Sequence, residues 1–455
     1  MTSRRGTLLI VDYNLSRVAD VIHMADYADR RYNMATILIR ANPTQLDHGL
    51  CDHVIALDPL APDFAEAAYE ALSPWCDSIR GGIVFSDNAV QSGAALLERL
   101  GLDADSAALA LGAFSKLEYR RAEARYREVL QAQRVMVPDC VPITSLVELQ
   151  QFAETHPEGF VIKPSCEGNN RGVVMVKGGD DLPRVLDEVA PYLAGGVICE
   201  QTIPYRREFS FDGLGSLSFI TEKVSASGRY PVEVAQIIPA RVNQTERETL
   251  RRAGSLANWL VGQRDGPFHN EIKLSDDGRV AAVVEPNRRP AGMKIWTLAN
   301  MVYGVDFYHL WIDAVLGDGF KPSTLEARCH AATVMLGVKN DCWFVPSDVP
   351  GSRKPFVEAL AETAYRHRLP EGALRPNEFA WLSQERRFVA AMPKDNGDFV
   401  ACACVSLHAG SADIRDIVST LRECWTEALE RALSPALPAT SSRSERTGSP
   451  LRTFA

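Results

Sequence analysis

Two strings of residues constrain this chain most, because each joins a strand pattern to side chains suited to phosphate or metal. The first, residues 161–176, runs from an apolar strand ending at Lys163 through a polar loop into a second apolar strand. The second, residues 268–292, reads as two strands joined by a turn at 275–278, where the residues tolerate positive φ. In this order the two strings predict one site that binds a nucleotide and also catalyses a reaction.

Composition sets the class of protein. At 455 residues, with 46% hydrophobic and 24% charged residues, we expect a soluble protein of two to four structural units. The formal net charge of -9 argues against a nucleic-acid or anionic-membrane partner. The longest apolar runs are strand-sized, and the first residues read as a strand rather than a signal peptide. Ten scattered cysteines favour reduced thiols over zinc or disulfides, so we expect a cytoplasmic protein.

The first hundred residues alternate strand and helix. Strand patterns at 7–11, 35–39, 54–57 and 82–85 are each separated by helical stretches, which predicts a parallel, doubly wound α/β sheet. The Gly-x-Gly-x-x-Gly dinucleotide fingerprint is missing after the first strand. We therefore predict an N-terminal α/β domain over 1–112.

The rest of the chain divides into four further segments. We predict a small α+β lid with the phosphate loop over 113–203 and a larger antiparallel-sheet lobe with the reaction site over 204–325. An α+β extension is predicted over 326–436, and it either covers the site or builds a dimer. The segment 437–455, rich in Ser, Thr, Arg and Pro, is predicted to be disordered.

The first string supplies candidate phosphate ligands. Lys163 ends its strand, so its ammonium is expected to project beyond the sheet edge and reach phosphate oxygens. The loop that follows has small and glycine residues that let backbone amides approach an anion. A polar β-hairpin turn with a surface lysine is the alternative. The loop candidates are Ser165, Glu167, Gly168, Asn169, Asn170, Arg171 and Gly172.

Segments before and after the loop extend this site. Residues 107–133 read as a helix-rich stretch, in which Lys116 precedes Arg120 and Arg121 on an amphipathic helix that either contacts nucleotide or is a solvated charged face. Residues 198–203 form a short segment after a buried strand, where backbone groups could hydrogen-bond adenine. Glu208 follows, where its carboxylate could bind ribose hydroxyls. Taken singly, the glutamates of this stretch read as surface residues.

The second string supplies candidate metal ligands. His269 and Glu271 face the same way on one strand, as do Glu285 and Asn287 on its partner. Pairing across the turn brings Glu271 and Glu285 together, and two close carboxylates need a cation such as Mg²⁺ between them. Salt bridges to the following arginines are the alternative.

Three side chains of this string are catalytic candidates. Arg288 or Arg289 could stabilise a developing oxyanion. His269 could contact substrate or act as a general base, or it could be a packed strand histidine.

These residues resemble the ATP-grasp superfamily over about residues 110 to 320, with the α/β lobe in the expected place. The first string is similar to that of D-alanine–D-alanine ligases, and the second is closer still to bacterial L-amino-acid ligases. The resemblance implies an ATP-grasp fold that binds ATP and Mg²⁺, with Mn²⁺ as an alternative ion. It assigns phosphates to Lys116 and Lys163, adenine to Glu200, Gln201 and Ile203, ribose to Glu208, metal to Glu271, Glu285 and Asn287, the oxyanion to Arg289, and substrate to Gly292 and Met293.

Two departures from that pattern bear on specificity. Residues 169–171 replace the commoner small residues of the loop, so Arg171 is a candidate phosphate contact. Met293 stands where some amino-acid ligases carry a bulky aromatic.

The function that follows from the resemblance is an ATP-dependent ligase. It would join a carboxylate, expected to be an amino acid, to an amine through an acyl-phosphate, as in specialised-metabolite assembly. An ATP-grasp kinase, a carboxylase-like enzyme and a non-catalytic ATP-binding protein are the alternatives. The resemblance also suggests a homodimer, because dimers are common among similar enzymes.

Overall fold

The structure is a computed structural model that describes residues 5–168, 171–226, 230, 232–317, 324–408, 410 and 412–433. Asn169, Asn170 and the predicted tail over 437–455 lie outside the described residues. All ten cysteines are free thiols. Among the described residues, no helix combines the length and the apolar character that crossing a bilayer requires.

The N-terminal layer is a four-stranded parallel sheet in the order β3-β2-β1-β4. Every residue of β1 is buried, as expected for a parallel strand covered on both faces. The doubly wound prediction is confirmed. The elements are β1 Gly6–Val11, α1 Val18–Tyr32, β2 Met34–Arg40, α2 Gln45–Leu50, β3 His53–Ala56, α3 Phe64–Ala71, β4 Ile79–Val84 and α4 Val90–Arg99.

A smaller antiparallel sheet follows in the order β5-β8-β6-β7. The helical stretch predicted before it is broken into two helices, because the chain leaves helical geometry at Tyr126. A capping box of Ser145 and Glu148 starts the helix after β5. The elements are α5 Lys116–Arg125, α6 Arg127–Ala132, β5 Cys140–Ile143, α7 Leu146–Thr155, β6 Gly159–Pro164, β7 Val174–Lys177, α8 Leu182–Val189 and β8 Val197–Gln201.

The large sheet begins with the next segment and contains the predicted hairpin. The hairpin is β12 paired with β13 around the predicted turn at 275–278, and a β-bulge between Glu271 and Ile272 places Glu271 directly opposite Glu285. Asn243 and Glu246 cap the helix before it. The elements are β9 Arg207–Leu214, β10 Leu217–Ser225, β11 Glu233–Ile238, α9 Gln244–Leu260, β12 Pro267–Leu274, β13 Ala281–Asn287, α10 Ile295–Tyr303 and α11 Phe307–Leu316.

The C-terminal segment continues this same sheet. β14 pairs with β11, so the eight strands run β13-β12-β9-β10-β11-β14-β18-β16 across the predicted boundary at 326. The last two helices pack on the outer face around Trp425, which is fully buried. The elements are β14 His330–Leu336, β15 Cys342–Phe344, α12 Lys354–Arg366, β16 Leu374–Trp381, β17 Arg387–Val389, β18 Ala401–Leu407 and α13 Ile414–Leu433.

One apolar core joins the N-terminal layer to the large lobe. It contains residues of β1 and α1 together with Trp296, Phe307 and Trp311 of the helices after β13. The carboxyl ends of β1 and β4, where ligands of open α/β sheets bind, therefore lie near the segment that follows the hairpin.

Candidate active site

Lys163 lies in a buried ion network instead of projecting beyond the sheet edge. Only 4% of the residue is exposed, and Nζ donates to Glu200 Oε1 at 3.0 Å. Arg120 Nε donates to the other oxygen of Glu200 at 2.7 Å. Burial would raise the pKa of Glu200, but Arg120 and Lys163 hold it at about 2. Burial chiefly lowers the pKa of Lys163. The predicted position was wrong in this respect, because sequence did not reveal the facing carboxylate.

The loop after Lys163 is fastened to the start of α5. Ser165 Oγ lies 2.9 Å from Ser115 Oγ, and the backbone N–H of Lys116 donates to Ser165 O at 2.9 Å. Gly172 has φ +68, and a Cβ there would lie 2.6 Å from the Tyr192 ring, so both conformation and space require glycine. Arg171 and Glu167 form an exposed ion pair of 2.7 Å.

Lys116 connects the phosphate half of the site to the metal half. It occupies the first position of α5, after the N-cap Ser115. Its Nζ donates to Glu167 O at 2.7 Å and lies 2.8 Å from Glu285 Oε2. One ammonium thus touches both the loop and the hairpin.

The acidic hairpin, defined here as β12 and β13 with Glu271 and Glu285, carries ionised carboxylates. Lys223 Nζ lies 2.7 Å from Glu271 Oε2, and Lys116 Nζ lies 2.8 Å from Glu285 Oε2. Burial would raise the pKa of Glu271 and of Glu285, yet the two ammonium groups hold both below the usual value. The alternative of salt bridges to Arg288 or Arg289 is not what the structure contains.

His269 is held by two carboxylates behind the hairpin. Nδ1 lies 2.6 Å from Asp212 Oδ1, and Nε2 lies 3.4 Å from Glu271 Oε1. Ser210 and Thr221 each donate to Asp212 Oδ2 at 2.6 Å. Burial would lower the pKa of His269, but Asp212 and Glu271 raise it to about 9. At neutral pH the ring carries a proton, which favours the packed role over a general base.

The two adjacent arginines turn to different partners. Arg289 Nε donates to Asp87 Oδ1 at 2.7 Å, and its Nη2 lies 3.5 Å from Asn287 Oδ1. Arg288 is 7% exposed, and its Nη1 donates to Ser106 O at 2.6 Å and Val261 O at 3.1 Å. Arg289 therefore lies beside the acidic hairpin, whereas Arg288 is held by backbone carbonyl groups.

The predicted metal ligands occupy neighbouring positions of the hairpin, with Glu271 opposite Glu285. Asn287 lies opposite His269 in the hairpin register; its Nδ2 donates to His269 O at 3.1 Å, and Oδ1 receives only the long contact from Arg289. Two carboxylates and one amide oxygen are the hard donors that Mg²⁺ takes. Lysine ammonium groups now neutralise those carboxylates, so the donor set fits a cation.

Most of the residues predicted to bind adenine and ribose already have partners within the chain. The Glu200 carboxylate faces Lys163, while the backbone N–H of Gln201 donates to Asp139 O at 2.8 Å. Ile203 is 7% exposed. Glu208 Oε1 lies 3.0 Å from Lys273 Nζ. The roles of these residues stay predictions.

The substrate loop, Pro290 to Lys294, faces the N-terminal layer. Met293 and Lys294 have φ values of 46° and 62°. Both residues therefore adopt the left-handed conformation, which is uncommon for residues other than glycine. Arg17 Nη1 donates to Ala291 O at 2.9 Å, and Gln236 Nε2 lies 3.9 Å from Met293 Sδ. Gly292, predicted to contact substrate, lies between these two contacts.

Sequence reasoning missed several residues around the site. Asp12 and Asp87 follow the carboxyl ends of β1 and β4, and that position could have identified them. Asp212 lies on β9, which pairs with β12, and Lys223 lies on β10, one strand further from the hairpin. Only the long-range strand pairing brings them there.

Comparisons with known proteins place the fold. No family model matches the chain. The structure superposes on an L-amino acid ligase from Bacillus licheniformis with a TM-score of 0.68 and 18% identity, covering 93% of this chain and 98% of that one. An ATP complex of carboxyaminoimidazole ribonucleotide synthase from Aspergillus clavatus gives 0.62 at 13% identity over 94% and 99%. The chain therefore has the ATP-grasp fold, and these neighbours are ATP-grasp carbon–nitrogen ligases.

Two curated relatives belong to the same class. A D-alanine–D-alanine ligase from Thermotoga petrophila is 26% identical over 208 residues, which are 42% of this chain and 66% of that protein. The arginine-specific large chain of mitochondrial carbamoyl phosphate synthase from Neurospora crassa is 26% identical over 231 residues, 47% of this chain and 19% of that protein. The chain thus matches less than two thirds of the length of either relative.

Proposed function

We propose that this chain is an ATP-dependent ligase that joins a carboxylate substrate, an amino acid, to an amine through an acyl-phosphate. The observation that carries the proposal is the double contact of Lys116, which touches the loop at Glu167 O and the acidic hairpin at Glu285. A triphosphate bound there would lie between a lysine-bearing loop and paired carboxylates. The ATP-bound neighbour of the same fold supports this reading.

The cation has a defined place in the proposal. Glu271, Glu285 and Asn287 would hold Mg²⁺, which when bound supplies positive charge to the phosphate oxygens. The chain's own contribution is the pair of lysines, Lys116 and Lys163, whose ammonium groups favour phosphate as point charges. Lys116 can exchange Glu285 for a phosphate oxygen without leaving the N-terminus of its helix.

The reaction has two bond-forming steps. A substrate carboxylate oxygen attacks the γ-phosphorus of ATP, so the bond to the β-phosphate oxygen breaks and ADP leaves. An amine nitrogen then attacks the acyl carbon, its proton passes to solvent, and inorganic phosphate departs to leave an amide. Arg289, held by a 2.7 Å hydrogen bond to Asp87, would stabilise the tetrahedral oxyanion with its guanidinium.

Exclusion of water is a requirement of this chemistry, because water hydrolyses an acyl-phosphate. On this proposal the phosphate loop would cover the phosphates, since Ser115 holds Ser165 on one side of it and the positive φ of Gly172 fixes the backbone on the other. On this proposal, loop closure precedes phosphoryl transfer.

The test is a phosphate-release screen of pairs of amino acids with ATP and Mg²⁺, followed by the mass of each product. We expect stoichiometric ADP, phosphate and an amide for at least one pair. Glu285→Ala should abolish release with the fold retained, while Glu358→Ala, at an exposed glutamate of α12, should behave as the unaltered protein. Unchanged turnover in Glu285→Ala would remove the metal assignment.

The same screen separates the other functions. A stable phosphate ester would mean a kinase. Bicarbonate dependence with a carboxylated amine would mean a carboxylase-like enzyme, a reading that the carboxyaminoimidazole ribonucleotide synthase neighbour keeps open. ATP binding without ADP release for every acid and amine would mean a binding protein.

A further inference from the structure

A second group of metal-ligand side chains lies where α1 meets α11. His23 is on α1, and Asp306 and His309 are at the start of α11. Their ligand atoms all lie within 4.8 Å of one another. No role in the proposed ligase reaction uses them. We propose that His23, Asp306 and His309 bind a divalent transition ion of the Zn²⁺ type, which joins the N-terminal layer to the large lobe.

The two distances from the imidazole nitrogens to Asp306 Oδ2 lie on either side of the separation between two ligand atoms of a coordinated ion. His23 Nε2 lies 2.7 Å and His309 Nδ1 lies 3.7 Å from Asp306 Oδ2. Tetrahedral zinc with bonds of about 2.0–2.1 Å places its ligand atoms roughly 3.3 Å apart. The ion would therefore replace the His23–Asp306 hydrogen bond, and rotation of the exposed His23 side chain supplies the small adjustment needed.

Asp306 divides its two oxygens between separate tasks. Oδ1 caps α11 by accepting from the backbone N–H groups of Tyr308 and His309 at 3.0 and 3.1 Å. Oδ2 faces the two imidazoles instead. Helix capping thus accounts for Oδ1 only. Oδ2 contacts the two histidines and can serve as a metal ligand together with them.

The neighbouring rings hold the ligands in place. The His309 ring stacks on Tyr27 with centroids 3.8 Å apart, which fixes its orientation. It also stacks on His23 at 4.5 Å, and this contact opens when His23 rotates, because the ion must lie in the plane of each imidazole. The side chains of His23 and His309 remain 44% and 32% exposed, so water can complete the coordination. Two imidazoles and one carboxylate suit Zn²⁺, Co²⁺ or Ni²⁺ and do not suit Mg²⁺, which prefers oxygen.

The position gives the ion a structural task. Tyr308, next in α11, accepts from Arg17 Nη2 at 3.0 Å, and Arg17 also holds Ala291 O of the substrate loop. An ion between α1 and α11 would brace this connection.

The experiment uses the full chain after chelator treatment, with excess Mg²⁺ and a non-hydrolysable ATP analogue present so that the acidic hairpin is occupied. Zn²⁺ is titrated calorimetrically, and Co²⁺ is followed by its visible absorption. We expect the unaltered chain and the control His48→Ala, at an exposed histidine, to bind one equivalent more than His23→Ala, His309→Ala and Asp306→Asn. Asparagine keeps the helix cap and removes the anionic ligand.

Two outcomes overturn the proposal. One is equal zinc binding by all five proteins. The other is a Co²⁺ spectrum of the unaltered chain that shows only the hydrated ion, a result that needs no variant to fold. A zinc-dependent rise in melting temperature confined to the unaltered chain and His48→Ala supports it.

Discussion

The charge on His269 predicts a specific dependence of stability on pH. Its pKa is about 9 in the folded chain against the ordinary 6.5. Because the folded-state value is the higher one, the folded chain holds a proton that the unfolded chain releases between these pH values. This stabilisation is fully present below pH 6.5 and is lost as pH rises through 9. At about 1.4 kcal/mol per pKa unit, the loss is about 3 kcal/mol.

The assay is urea unfolding at a series of pH values from 6 to 10, with the His269 ring followed by NMR. His269→Gln removes the titrating group, so the free energy of unfolding should fall less steeply with pH than in the unaltered chain. His48→Gln, at an exposed histidine, should leave the slope unchanged. Parallel slopes for the unaltered chain and His269→Gln, or a measured ring pKa near 6.5, would refute the reasoning.

Three further predictions concern the remaining charges. Arg289→Ala should slow amide formation by roughly two to three orders of magnitude, as expected for loss of an oxyanion donor, with single-turnover rates as the measurement and near-normal rates as the contrary result. Arg120→Met should lower the free energy of unfolding by about 3–5 kcal/mol, because it leaves Glu123 and Glu200 buried without their guanidinium; an unchanged denaturation midpoint would contradict this. Chelation of divalent ions should weaken ATP binding measured by calorimetry, and equal affinity with and without Mg²⁺ would speak against the metal role of the acidic hairpin.

Local patterns predicted the parts of the fold that depend on neighbouring residues. The turn at 275–278 joins β12 to β13 and so predicts that Glu271 and Glu285 lie near each other. Their direct pairing could not be read from spacing, because it depends on a β-bulge between Glu271 and Ile272 that puts Glu285 rather than Val284 opposite Glu271. The alternation of strand and helix likewise gave the parallel sheet, because each crossover needs its own helix. That the phosphate loop and the acidic hairpin belong to one site was inferred from the resemblance to the ATP-grasp superfamily.

Long-range contacts account for what could not be predicted. The C-terminal strands join the large sheet through the pairing of β11 with β14, and nothing in either segment specifies that partner. Lys163 was expected to be exposed because its facing carboxylate, Glu200, lies on a strand adjacent only in the folded sheet. Lys223 was missed for the same reason, since only the stacking of β9 between β10 and β12 brings it to the hairpin.

The arrangement of charges explains why nucleotide and cation should bind together. Without ligands, Lys116 and Lys223 each neutralise one carboxylate of the acidic hairpin, and the protonated His269 supports Glu271 from behind. If Lys116 turns to a phosphate oxygen, Glu285 loses its partner in a site where an unpaired charge is costly. A divalent ion restores that charge and faces the phosphates as well. On the proposed function, Lys116 would contact ATP and thereby free Glu285 for the cation, so that one side chain would couple the two binding events.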